Sequence, residues 1–177
     1  MSRVRLVVPV VCLWLAGCAS LPDTYAPPMQ RRPVTGPEPN PVDHYVTMSE
    51  ADADVHFVSG ISDTTEAATW RWTGPRAELI FRLTTTGHLR FAMDFAIPEM
   101  TFKQRGPVAI SISINGRLLD KLRYEKGGQF HFEKPAPFDW LRTDAYNFVT
   151  LEIDKPWVSP DDGARLGIIL TSAGFVQ

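Results

Sequence analysis

The side chains best suited to chemistry in this 177-residue chain are aromatic and basic. Trp70 and Trp72 lie two apart, so on a strand they share one face, with Arg71 on the other. Trp72, Arg76 and Trp157 form the candidate ligand-binding set. Indole faces stack on sugar rings, and a guanidinium donates to hydroxyls or to an acidic group. Large aromatics also fill sandwich cores and edges, so a packing role for the same residues stays open. Trp140, within Pro137-Phe138-Asp139-Trp140-Leu141-Arg142, reads as a plug at one end of the fold.

Other chemistries find little support. His44, His56, His88 and His131 form no close metal-binding pair in sequence, and His56 and His131 fall in strand-like runs. Asp161-Asp162-Gly163 has calcium-type oxygens but no third acid nearby, and reads as a surface turn. Glu50, Asp52 and Asp54 read as a solvated loop. G-x-S-x-G, H-E-x-x-H and P-loop patterns are absent, so no catalytic residue, metal or cofactor is assigned. A glycosidase needs only two carboxylates at the right separation, which a linear pattern does not reveal. Loops this short leave little room for its cleft. The expectation is a non-enzyme.

The N-terminus carries the most specific signal. Arg3 and Arg5 precede an apolar run from Leu6 to Ala16, and Gly17 and Cys18 follow, so that the run ends in Leu15-Ala16-Gly17-Cys18. At ~1.5 Å per residue that run spans about 17 Å, short of a hydrocarbon core near 30 Å, and Pro9 interrupts it. A basic start, a short apolar stretch and small residues before a cut describe a cleaved export signal. Leu15-Ala16-Gly17-Cys18 further resembles the lipobox of bacterial lipoproteins. That resemblance implies removal of residues 1–17, lipidation of Cys18 with two or three acyl chains such as palmitate, and a membrane-anchored protein of the cell envelope. Ala19, where an Asp commonly retains such proteins at the inner membrane, implies the outer membrane in a two-membrane bacterium. Two or more chains hold firmly, since each buried methylene contributes ~0.8 kcal/mol.

Loss of Arg3 and Arg5 with no acid takes the net charge from −2 to −4. No basic patch points to nucleic acid. Cys12 leaves with the signal, so the remainder has no disulfide and must be held by its core. Residues 18–42 comprise the lipidated Cys and a tether rich in proline (Pro22, Pro27, Pro28, Pro33, Pro37, Pro39 and Pro41), too poor in large apolar residues to fold. Residues 43–177 are one domain.

Within that domain the apolar period is two. Ala77, Leu79, Phe81 and Leu83 alternate with mostly polar residues, as do Leu89, Phe91, Met93 and Phe95, and Val108, Ile110, Ile112 and Ile114. Further strands are expected near 54–59, 68–73, 118–124, 129–133, 147–154 and 165–175, with no helix beyond two turns. The fold class is all-β, an antiparallel sandwich of jelly-roll type. Asn115-Gly116 predicts a two-residue hairpin turn that sets Ile112 against Leu119. Leu119 and Leu122 are three apart, so a bulge at Asp120–Lys121 is needed to face both inward.

Trp70-Arg71-Trp72-Thr73-Gly74-Pro75-Arg76-Ala77-Glu78-Leu79 resembles the opening of a bacterial β-sandwich module. Ile112 to Arg117, Leu151 to Trp157 and Arg165 to Ile168 resemble its continuation. That module is appended to glycosyltransferases and other surface-polysaccharide proteins and has the look of a carbohydrate-binding jelly roll. In this chain no enzyme accompanies it, and the resemblance transfers no ligand residue. Two readings follow. The first is a lipid-anchored, non-catalytic lipoprotein that binds carbohydrate. The second is a structural adaptor docking onto another envelope protein, with Ile80, alone on an otherwise polar strand face, in the contact patch.

Overall fold

The computed structural model describes residues 42–177. The predicted signal at 1–17, Cys18 and all but the last residue of the tether lie outside the described residues. The strands are β1 (Tyr45–Thr47), β2 (Phe57–Ile61), β3 (Arg71–Phe81), β4 (Arg90–Ile97), β5 (Val108–Ile114), β6 (Arg117–Tyr124), β7 (Gly128–Pro135), β8 (Asn147–Ile153), β9 (Trp157–Val158), β10 (Arg165–Leu166) and β11 (Ile169–Val176). One two-turn helix, α1 (Glu99–Arg105), follows β4.

All pairings are antiparallel. One sheet runs β2-β3-β8-β5-β6; the other runs β11-β4-β7, with β1 on the far side of β11. They share β3, whose Arg71 and Trp72 pair with β11 and whose Arg76–Phe81 pair with β8. The expected strands near 68–73 and 77–83 are therefore one strand that changes partner. Pro75, which has no N–H to donate, falls between the two pairings. The strand expected over 165–175 is split into β10 and β11, and Gly167 lies between them where only glycine fits, because a Cβ there would stand 2.4 Å from the Gly74 carbonyl oxygen.

The period-two apolar sets make the core of an all-β sandwich. Leu79, Phe81, Phe91, Met93, Ile110, Ile112 and Ile114 are fully buried, each contributing roughly 1.5–3 kcal/mol. Phe81 meets Phe175 edge-on at 5.6 Å, and Phe95 of β4 meets Tyr124 of β6 at 5.3 Å, locking the sheets face to face. Asn115 and Gly116 hold φ of 50° and 78°, as the predicted hairpin turn requires.

The bulge sits one position earlier than expected. Ser113 opposes Leu118, but Ile112 opposes Asp120 rather than Leu119. Leu119 is the extra residue; it turns inward while Leu118 is left 58% exposed. The slip still directs Leu122 onto the core. It also brings Asp120 round to the open edge of the sandwich, where Lys134 of β7 binds it at 2.8 Å.

Candidate functional site

Because side chains alternate along a strand, the residues of β4 that do not enter the core (Arg90, Ala92, Asp94 and Ala96) face outward. The register sets them in rows across the outer face of their sheet. Trp72, Ile169, Ala96 and Gln129 make one row; Thr47, Ser172, Asp94 and His131 make the next. Alanine at 96, among larger neighbours, leaves the face low there. The result is a trough of about 640 Å³, whose lining includes Trp70, Asp94, Ala96, Gln129, His131 and Thr171.

A hydrogen-bonded chain ties two of the lining residues, Asp94 and His131, to neighbours on the same face. The Tyr45 hydroxyl donates to Ser172 Oγ at 2.7 Å, and Ser172 Oγ donates to Asp94 Oδ2 at 2.9 Å. His131 Nδ1 meets Asp94 Oδ1 at 2.7 Å and its Nε2 meets Glu133 Oε2 at 3.2 Å. Arg90 Nε then reaches Glu133 Oε1 at 2.7 Å. Both ring nitrogens of His131 face carboxylate oxygens, which only accept, so the doubly protonated imidazole is favoured. Its pKa is raised, first by the Asp94 hydrogen bond and then by Glu133. The same hydrogen bond to His131 is the main cause that lowers Asp94. Ser172 donates to the carboxylate and not to the imidazole, so the cluster is no serine–histidine relay.

The loop before β3 supplies the trough's aromatic wall. Ala67 and Ala68 hold φ of 47° and 56°. The Thr69 N–H donates to the Glu66 carbonyl at 3.0 Å, and the Glu66 N–H to the Trp70 carbonyl at 2.8 Å. Two consecutive non-glycine residues with positive φ are strained, and the strained turn delivers Thr69 and Trp70. Arg71 secures the loop from beneath. It is buried, its Nη1 donates to the Ser62 and Asp63 carbonyls at 3.1 and 2.8 Å, and its guanidinium lies 5.0 Å from the Phe57 ring centroid.

Trp70 stands edge-on to Trp72 at 5.8 Å, and Trp72 stacks on Trp157 at 6.5 Å with 24° between planes. Trp157 Nε1 donates to Gln104 Oε1 of α1. All three indoles are partly exposed. Of the sequence-predicted set, Trp72 and Trp157 are thus brought together. Arg76 points outward four residues further along β3, over the other sheet, with its Nη1 on Glu152 at 2.8 Å. Trp140 packs against the core at the opposite end, under the Arg117 guanidinium at 5.7 Å. Ile80 is opposite Phe148, which is 41% exposed. Among the described residues no group of three or more His, Cys, Asp or Glu is placed to hold a metal ion.

Tyr45, Asp94 and Ser172 were not singled out by sequence, and His131 was noted there only as lying in a strand-like run. The usable signal was the outward set of β4, an acid between two alanines on a strand whose other face is aromatic.

No family model and no curated protein matches the chain. Among solved structures it is similar to the CBM36-1 domain of a multidomain xylanase from the hindgut metagenome of Trinervitermes trinervoides, at 10% identity and a TM-score of 0.38, covering 59% of this chain and 72% of that one. It is similar also to CBM51 from Clostridium perfringens GH95 in complex with methyl-galactose, at 10% and 0.38, covering 75% and 88%. A third is CBM51-2 with INT domains from Clostridium perfringens ZmpB, in complex with GlcNAc, at 10% and 0.42; 76% of this chain is covered, but it spans only 32% of that one. The fold assignment rests on the strands and their register.

Proposed function

We propose that this chain is a lipid-anchored, non-catalytic envelope lipoprotein that binds carbohydrate in the trough of its β11-β4-β7 sheet. The observation that carries the reading is the trough itself. An indole wall at Trp70 stands over a polar floor whose geometry is fixed by its own hydrogen bonds, the combination that sugar rings and hydroxyls require. The Trp70–Trp72–Trp157 row extends the aromatic surface from one end. Tyr45 pairs with Gly174 and Trp72 with Ile169, about 17 Å apart along β11. β1 therefore joins the sandwich at the end away from the aromatic row. Lipidation of Cys18 rests on the lipobox pattern alone.

The test is tryptophan fluorescence of the full chain against a panel of neutral and acidic glycans. Quenching by at least one glycan, lost in Trp70→Ala and kept in Trp140→Ala, is expected. Silence across the panel ends the carbohydrate reading. Mass spectrometry of the N-terminal peptide tests the anchor, which fails if residues 1–17 are intact or no acyl mass is found.

A second reading, an adaptor docking onto another envelope protein, is favoured by one observation. Ile80 and Phe148 are cross-strand partners on the outer face of the other sheet, so Ile80 is not an isolated apolar residue. A single stoichiometric envelope partner, lost on Ile80→Asp, with no glycan response, would select it.

A further inference from the structure

We infer that the sandwich carries a second glycan site, on the outer face of the β2-β3-β8-β5-β6 sheet at the end where β5 turns into β6. This rests on the carbohydrate reading above and extends it from one face to two. The site is a hollow of about 400 Å³ whose lining includes Glu78, Asn115, Arg142, Tyr146 and Phe148. Asn147 is fully buried, so the flanking Tyr146 and Phe148 stand on the outer side, 44% and 41% exposed. Two amide side chains hold the backbone beneath them. Asn147 Nδ2 donates to the Arg142 carbonyl at 2.8 Å, and its Oδ1 accepts from the Arg142 N–H at 2.9 Å. Asn115 Nδ2 donates to Asn147 Oδ1 at 3.0 Å and to the Trp140 carbonyl at 2.7 Å. Its Oδ1 accepts from the Phe148 N–H at 2.9 Å. The backbone around the hollow is thus fixed before any ligand arrives, which reduces the ordering that binding must impose.

The charged residues of the lining point to its occupant. Arg76, Arg90, Arg117 and Arg123 each hold a carboxylate. The Arg142 guanidinium has no hydrogen bond or ion pair among the described residues, and neither has the Glu78 carboxylate. They line one hollow without meeting each other. A sugar hydroxyl both donates and accepts, so hydroxyls of one ring satisfy a free guanidinium and a free carboxylate together. A purely apolar segment seated there would cover both without pairing either, which is unfavourable. Tyr146 and Phe148 supply aromatic surface for the sugar ring, and the Arg82 guanidinium steadies Tyr146 at 5.9 Å from its ring centroid. The trough and this hollow have no lining residue in common.

The experiment titrates the full chain by calorimetry against the same glycan panel, as wild type and as Trp70→Ala. At least one glycan is expected to bind the Trp70→Ala chain, with a single equivalent per chain. Adding Tyr146→Ala and Arg142→Ala together should weaken that binding at least about tenfold, the loss of one hydrogen bond to a charged group. The same pair in the wild-type background should leave tryptophan quenching unchanged. Glu78→Gln, which keeps size and removes charge, gives an independent weakening should the pair melt early. A wild type that binds glycan beside a silent Trp70→Ala chain overturns the inference and leaves the trough reading intact. Binding by Trp70→Ala that neither the pair nor Glu78→Gln moves overturns it as well. So does capture of an envelope protein through Tyr146 and Arg142 in place of glycan. Silence of the wild type across the panel removes the underlying carbohydrate reading.

Discussion

Ala67 and Ala68 occupy backbone conformations suited to Asn and Gly, so replacing them with Asn-Gly should stabilise the domain. Their φ values of 47° and 56° lie in the left-handed region, where an L-residue with a Cβ costs roughly 1–2 kcal/mol. Two such residues store about 2–4 kcal/mol. Asn tolerates this conformation and Gly adopts it freely, which is why Asn-Gly dominates two-residue turns of this hand. Gly at 68 returns about 0.5–1 kcal/mol through the extra freedom it gives the unfolded chain. Asn at 67 keeps part of its own strain, leaving a net gain of about 1–2 kcal/mol. For a domain of this size that raises Tm by roughly 4–8 °C. Calorimetry of wild type, Ala67→Asn, Ala68→Gly and the double variant separates the two positions. Ala68→Pro supplies the opposite sign, because a φ fixed near −65° cannot form the turn. An unchanged or lowered Tm in the double variant would refute the strain argument. Trp70 follows the turn directly, so glycan quenching, where it occurs, should be unchanged or tighter in the stabilised variant.

Three further outcomes are expected. Arg71→Met should destabilise by about 2–3 kcal/mol, measured by urea unfolding, because it leaves the Ser62 and Asp63 carbonyls without their buried donor. The stability difference between wild type and Asp94→Asn should be largest from about pH 4 to 6.5 and shrink on both sides. His131, raised, contributes fully below its unfolded pKa and loses that as pH climbs through its folded value. Asp94, lowered, contributes above its unfolded pKa and loses that as pH falls through its folded value. The difference is the quantity to follow, since His56, buried and lowered mainly by desolvation, destabilises the wild type itself in acid. Finally, Cys18→Ser should move the protein from the membrane to the soluble fraction, read by fractionation.

The strands were legible because burial on one face writes itself into a two-residue period, and no competing pattern disturbs Phe81, Phe91 or Ile110. The Asn115-Gly116 turn was legible because its backbone requirement is local. The site was only half legible, for a physical reason. A pattern gives the face on which a residue lies but not the strand it will lie beside. Trp72 and Arg76 share a face of β3, yet β3 changes partner between them, so Trp72 stands over β11 while Arg76 stands over β8. Asp94 and His131 are 37 residues apart and meet only because β4 pairs with β7 in one register. A shift of one residue would send His131 into the core and break the chain from Tyr45 to Arg90. Phe130 and Phe132 prevent that shift, since each must face inward, Phe130 stacking on Phe95 at 5.5 Å and Phe132 approaching Phe91 at 6.4 Å. The polar floor is thus specified by the aromatic residues beneath it. Removing either ring should disturb His131 before it disturbs any residue of β8.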